Sequence, residues 1–204
     1  MAGMKGFVTA LAVVLGSLLV LAVGVALALW LFLSVGAFDA PAEPASSPGT
    51  EGPLASGIPP RPADAFPLTV DYVFDGDTIE ARMQQPNELV TTSDAIRIRL
   101  IGIDTPEGTP TPECWADEAR THLRALLPEG ATVWAAPDAE TSDRYGRYLF
   151  NLWSDDGRFI NHELVAAGDA EAIRVGSNDA FYDLLTDAQG QAEASGAGRW
   201  AACG

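Results

Sequence analysis

The sequence predicts an α+β domain in which short strands close into a small barrel and about three helices pack on it. An N-terminal transmembrane segment and a linker precede the domain. Three observations lead there. Residues 7–38 contain no charge, and residues 39–66 are rich in Pro, Ala, Ser and Gly. From Phe66 onward the pattern becomes strand, turn, strand, loop, strand, helix, strand, strand, helix, helix.

The uncharged run of 32 residues exceeds the roughly 20 needed to span a bilayer. It also exceeds the roughly 7–15-residue apolar core of a signal peptide. Lys5 is the only charge before it and the stretch after it is acidic, which favours a cytoplasmic N-terminus and an external remainder. The expectation is a signal anchor over residues 1–38 with the domain outside the cytoplasmic membrane. Cleavage and secretion is the alternative: Ala40-Pro41-Ala42 fits a small-residue cleavage site loosely, with a proline inside it. Residues 39–66 read as a linker, extended where Pro59, Pro60 and Pro62 cluster, that would hold the domain off the membrane.

Within 67–204 the strands are Leu68–Phe74, Thr78–Arg82, the run around Ile96–Leu100, Thr132–Ala136 and Tyr148–Trp153. Ile96, Ile98 and Leu100 alternate with Arg97 and Arg99, the period of a half-buried strand. A first helix is expected from Pro112 to Leu127, capped by Thr111, with Trp115, Ala119, Leu123 and Leu126 as its apolar stripe. A short helix over Asn161–Ala167 ends at Gly168. A last helix starts near Asn178 and buries Leu184, Leu185 and Ala188. Strands closing around a core with helices segregated onto it is the OB-type solution, and the domain is long enough to bury such a core unaided.

Two cysteines, Cys114 and Cys203, in a chain read as external suggest a disulfide; the alternative is two unpaired buried thiols. His122 and His162 have no ligand-like spacing to them, which argues against a metal site. Each histidine is expected on a helix surface or in a local hydrogen bond.

Three short stretches carry chemistry. In Arg99–Glu107, RLIGIDTPE, a strand breaks at Gly102 into a turn set by Pro106, presenting Arg99, Asp104 and Glu107. In FDGDT at 74–78, Asp75-Gly76 is ordinary hairpin chemistry, while Asp77 sits just past the turn and can face what it brings near. In DRYGR at 143–147, Arg144 and Arg147 flank a Tyr-Gly turn. Together they supply two acids for a hard cation, an acid free to act as base, and arginines for an anion. That inventory suits phosphodiester hydrolysis.

In this order and at these separations, FDGDT, RLIGIDTPE and DRYGR resemble the thermonuclease (staphylococcal nuclease-like) family over most of residues 67–200. The resemblance implies a five-stranded OB-type barrel and a calcium-dependent nuclease acting on DNA and RNA. It implies Asp77, Asp104 and the Thr105 carbonyl as Ca²⁺ ligands, Arg99 and Arg147 as catalytic arginines, Glu107 as general base, and products ending in 3′-phosphates. Arg144 and Tyr145 are candidate substrate contacts, and the chain is expected to be a monomer. One departure concerns base stacking. Family members carry two tyrosines after the glycine ending the second helix, and the matching positions here are Arg174 and Gly176. Arg174 remains a candidate to stack on a base or contact phosphate. The rival class is a catalytically weak or inactive membrane-tethered OB-fold that only binds nucleic acid; a barrel that binds calcium for stability alone would explain the acids but not the arginines.

Charge sets a further constraint. The chain carries 12 basic and 28 acidic residues, net −16. Setting aside Lys5, Arg61, Asp39, Glu43, Glu51 and Asp64 leaves 10 basic and 24 acidic residues, net −14, with no lysine. Such a domain repels a polyanion at range, and salt screens that repulsion over about 10 Å at 0.1 M. Local arginine contacts weaken with salt, so the two effects oppose. At saturating calcium, kcat/KM on single-stranded DNA is expected to fall only shallowly with added monovalent salt, or to pass through a maximum. Steady-state rates from low to near-molar salt test this, and a steep monotonic fall would contradict it.

Overall fold

The computed structural model describes residues 57–203. The apolar segment 7–38 and most of the linker lie outside the described residues. Among the described residues, no helix is long and apolar enough to cross a membrane. In chain order the elements are β1 (Phe66–Val73), β2 (Thr78–Arg82), β3 (Ile96–Leu100), β4 (Ile103–Asp104), α1 (Ala116–Leu126), β5 (Thr132–Ala136), β6 (Tyr148–Ser154), α2 (Ile160–Ala166), β7 (Glu171–Ala172), α3 (Tyr182–Ser195) and α4 (Arg199–Ala202).

Five strands close a barrel in the order β1-β2-β3-β6-β5, with β5 returning to β1. Neighbours are antiparallel except β3 and β6, which run parallel. This is the five-stranded barrel expected from the sequence. Alternation explains it residue by residue. Ile96, Ile98 and Leu100 of β3 point into the core, beside Leu68, Val70, Ile79, Val133, Phe150 and Leu152. Arg97 and Arg99 therefore project from the opposite face. β6 is buried from Leu149 to Ser154 because α2 packs on its outer side, so alternation is muted there. Trp153 and Phe159 stack at 4.7 Å in this layer.

Several boundaries differ from expectation. The first helix begins at Ala116 rather than Pro112, and Thr111 does not cap it. Trp115 adopts a left-handed backbone with φ 76°, which no helix can continue through. Its indole N–H donates to Asp169 at 2.7 Å, and Cys114 is bonded to Cys203. Tertiary ties thus override the local helix signal. The last helix begins at Tyr182 rather than Asn178. Asn178 is buried, and its side chain bridges the main chain of Glu140, accepting from the amide at 2.6 Å and donating to the carbonyl at 3.1 Å. Leu184 is only half-buried, and Ala192 joins Leu185 and Ala188 on the packed side. β4 and β7 pair as a two-residue ladder, too short for any periodicity to reveal.

Residues 57–65, inside the stretch read as linker, lie on the barrel. Ile58 packs against the core, Arg61 stacks 4.0 Å over the Trp134 ring, and the buried Trp153 donates its indole N–H to the Pro59 carbonyl at 3.5 Å. His122 lies half-exposed on α1, in keeping with the helix-surface alternative, but its hydrogen bond is not local: its Nδ1 meets the Asp169 carboxylate, 47 residues away, at 2.5 Å. That hydrogen bond raises the His122 pKa against the opposing effect of burial. His162 is half-buried, and its Nδ1 has no hydrogen-bond partner among the described residues.

The Cys114–Cys203 bond joins residues 89 apart, tying the start of α1 to the end of α4. Loop-closure entropy alone would give about 4–5 kcal/mol, and measured values often fall lower. Denaturant unfolding with and without reductant should therefore show a loss of roughly 2–5 kcal/mol, with the barrel's far-UV signature kept before the transition. Identical midpoints in both would contradict this.

Candidate active site

The site is assembled where β2, β3 and the β4 turn meet. Register sets Thr78 opposite Arg99 and Arg99 opposite Leu149, so Arg99 sits centrally on the outer face of the barrel. It is nonetheless only 8% exposed, because acids cover it. Its Nε lies 3.0 Å from Asp77 Oδ1, and its Nη2 lies 2.6 Å from Asp104 Oδ1. Its Nη1 donates to the carbonyls of Leu100 and Ile103 at 2.7 and 2.6 Å. A buried guanidinium demands this degree of pairing.

Asp77 is held from the other side as well. Its Oδ2 accepts the Thr105 amide at 2.9 Å and the Thr105 hydroxyl at 3.1 Å, while Oδ1 accepts the Thr78 hydroxyl at 3.0 Å. Gly76 makes this approach possible. A Cβ there would lie 2.7 Å from Thr105 Cγ2 and 2.9 Å from Ala119 Cβ, and its φ is not positive. The glycine in FDGDT thus serves close packing of the turn on Thr105, and not the hairpin geometry suggested by Asp-Gly. Burial, then the neighbouring Asp77 charge, pushes Asp75 up to about 6. Partial burial also raises Asp104, and Asp77 adds to that, against the attraction of Arg99.

Arg147 projects from the turn before β6. Its Nε pairs with Asp143 Oδ2 at 2.7 Å, and its amide donates to Asp143 Oδ1 at 2.9 Å. Despite partial burial, these bonds hold Asp143 below the usual carboxylate range. Sequence reading missed Asp143, although the Asp-x-x-x-Arg spacing was visible. Arg99, Arg144, Tyr145, Arg147 and Arg174 line one open hollow. Arg147 and Tyr145 also line an adjoining hollow with Glu107 and Arg97. Glu107 is exposed, and its main chain is braced by Glu113 through two hydrogen bonds of 2.9 and 3.0 Å.

The structure therefore brings Asp77, Arg99, Asp104 and Thr105 into direct contact. It gathers Arg144, Tyr145, Arg147 and Arg174 around the adjacent hollow, with Glu107 across the shared wall. Among the described residues, no three His, Cys, Asp or Glu side chains are grouped to hold a metal. A cation here would rest on two carboxylates, a backbone carbonyl and water. That donor set is all oxygen and fits Ca²⁺. Both acids already converge on one positive group, and the Thr105 carbonyl and Asp104 Oδ2 accept no hydrogen bond among the described residues.

A family model described as staphylococcal nuclease homologue matches residues 97–202. The chain belongs to the staphylococcal nuclease homologue family. With that membership it joins the nuclease class of hydrolases. Thermonuclease of Staphylococcus intermedius is 33% identical over 126 residues, 61% of this chain and 70% of that protein. An uncharacterized endonuclease of Escherichia coli O157:H7 is 32% identical over 128 residues, 63% and 72% of the two chains. Endonuclease YhcR of Bacillus subtilis (strain 168) is 30% identical over 152 residues, 70% of this chain but only 12% of that larger protein.

Against the nuclease family, the two positions lacking tyrosine acquire a physical account. Arg174 and Gly176 both line the arginine-rich hollow. The Arg174 guanidinium lies 4.0 Å over the Tyr182 ring and 3.1 Å from Asp179. Gly176 has φ +58°, and a Cβ there would stand 2.6 Å from the Glu140 carboxylate. That carboxylate is held by the Ser177 amide and hydroxyl at 3.1 and 2.8 Å, which also lower its pKa. A tyrosine at 176 would displace it.

Gly76→Ala should cost about 1–3 kcal/mol from overpacking and should separate Thr105 from Asp77. Unfolding midpoints, with the Thr105 amide shift as a local probe, check both effects. Wild-type stability and an unmoved amide would mean that the close approach does not matter.

Proposed function

We propose that this chain is a calcium-dependent nuclease that hydrolyses phosphodiester bonds of DNA and RNA, working as a monomer outside the cytoplasmic membrane. Residues 7–38 would tether it there. The observation that carries the reading is the contact of Asp77 with Thr105 and of both Asp77 and Asp104 with Arg99, beside a hollow that Arg99 and Arg147 line together. The Cys114–Cys203 bond supports an oxidising exterior compartment.

Asp77, Asp104 and the Thr105 carbonyl would hold Ca²⁺. When bound, the ion supplies positive charge to a phosphoryl oxygen and a site for water. Arg147 donates a forked hydrogen bond through its Nη groups, and Arg99 donates through the one Nη2 N–H that Asp104 leaves over, to the remaining phosphoryl oxygens, most strongly as charge builds in the transition state. Asp143 fixes the orientation of Arg147, and the Leu100 and Ile103 carbonyls fix Arg99. Glu107, exposed at the mouth, accepts the proton of the attacking water. Cleavage of the P–O5′ bond leaves a 3′-phosphate on one fragment and a 5′-oxygen on the other, which takes a proton from solvent water to become a hydroxyl.

Digestion of single-stranded DNA by the full chain is expected with calcium and to vanish with chelator, yielding 3′-phosphate ends. Arg99→Lys and Arg147→Lys should each lower kcat by about 10²–10³, since lysine keeps the charge without the fork. Full activity in chelator would remove the metal from the reading. Near-normal rates in the lysine variants would remove both arginines from the chemistry.

A further inference from the structure

The site described so far uses one flank of β3. On the other flank Arg97, exposed and two residues before Arg99, projects from the same face of the strand. Its Cα lies roughly 6.7 Å along from that of Arg99, comparable with the separation of successive phosphates in an extended strand. Its guanidinium stacks 4.0 Å over the Phe74 ring. Phe74 in turn meets Tyr72 edge-on, with centroids 5.0 Å apart. Arg120 on α1 closes the row: its Nη2 donates to the Tyr72 hydroxyl at 2.7 Å, its Nε to the Val73 carbonyl at 3.1 Å, and its guanidinium lies 5.5 Å from the Tyr72 ring. Cation, aromatic, aromatic and cation thus run from β3 across the end of β1 to α1.

Three facts point to a ligand for this row. It is continuous with the candidate active site, because Arg97 shares a hollow with Glu107, Tyr145 and Arg147. It is partly unburied: Tyr72 is 39% exposed, and Tyr145, which shares the hollow with Arg97, is 70% exposed. Neither Arg97 nor Arg120 is in an ion pair with a carboxylate among the described residues, although Glu80 stands opposite Arg97 across the β2–β3 ladder. In a domain with 24 acidic residues, Arg97 and Arg120, like Arg144 beside the catalytic hollow, keep their charge without a carboxylate partner among the described residues. Base rings stack on aromatic faces and phosphates take the arginines.

We propose that Arg97, Phe74, Tyr72 and Arg120 form a second binding subsite for single-stranded polynucleotide, holding the stretch next to the scissile bond. It rests on the nuclease reading, and it replaces affinity lost where Arg174 and Gly176 stand. Substrate length is then the specificity it sets: a strand long enough to cross from Tyr145 past Arg97 to Tyr72 gains contacts that a di- or trinucleotide cannot reach.

The test compares the full chain with Arg97→Gln and Tyr72→Leu on single-stranded DNA of about 3 and about 12 nucleotides. Two readouts are taken: kcat/KM with calcium, and fluorescence anisotropy with chelator. The ratio of long-strand to short-strand kcat/KM should fall about tenfold in each variant. The salt slope of long-strand binding should fall by about 0.7 in Arg97→Gln, one phosphate's worth for a single strand. Circular dichroism and unfolding midpoints confirm that the variants are folded. An unchanged length ratio, or equal losses on both lengths, overturns the subsite. Should the wild type bind long strands through Arg97 without cleaving them, the subsite stands and the nuclease reading falls. Absence of both binding and cleavage overturns both.

Discussion

One arginine placed between two carboxylates organises this molecule. Arg99 is buried in a barrel wall, where an unpaired charge would cost several kcal/mol. Each nitrogen of its guanidinium has a partner: Asp77, Asp104, and the carbonyls of Leu100 and Ile103. Those partners come from the turn before β2, from β3 itself and from β4. Satisfying Arg99 therefore fixes three segments at once, with Thr105 drawn onto Asp77 through the gap that Gly76 leaves. The same contacts that make the arginine tolerable gather the acids a cation would need.

Electrostatics is the second organising constraint. A strongly acidic chain cannot attract a polyanion by its overall field, so its positive groups must act at close range. Their placement fits that requirement. Arg99, Arg144, Arg147 and Arg174 surround one hollow, and Arg97 faces its neighbour. Asp143 and Asp179 engage Arg147 and Arg174 and orient them, at the cost of some of their free charge. The clamp of Glu140 and Asn178 on the 176–178 loop shapes the wall on which Arg174 rests.

The barrel was legible because its strands alternate. Ile96, Ile98 and Leu100 against Arg97 and Arg99 specify both the strand and its inward face, and β5 appeared with its observed bounds. Elements governed by distant contacts were not legible. Trp115 is turned left-handed where Asp169 and Cys203 hold the chain, so a helix signal at Pro112 had no effect. Asn178 looked like a helix start and is instead a bracket for Glu140. In the site, acids and arginines could be named from their motifs, since each motif lies on a strand end. What steadies them could not. Gly76 matters through Thr105 and Ala119, far off in sequence, and the row from Arg97 to Arg120 spans three elements that only the closed barrel brings together.

The proposed cation site is the point where Asp77, Asp104 and Thr105 meet beside Arg99. Calorimetric titration of calcium into the full chain, beside its Asp104→Asn variant, addresses it most directly, because the Asp104 side chain is 57% exposed and its replacement should leave the fold standing. The wild type should bind one calcium and the variant should bind it at least tenfold more weakly, with unfolding midpoints in chelator nearly the same. No binding by the wild type, or equal binding by both, would contradict it.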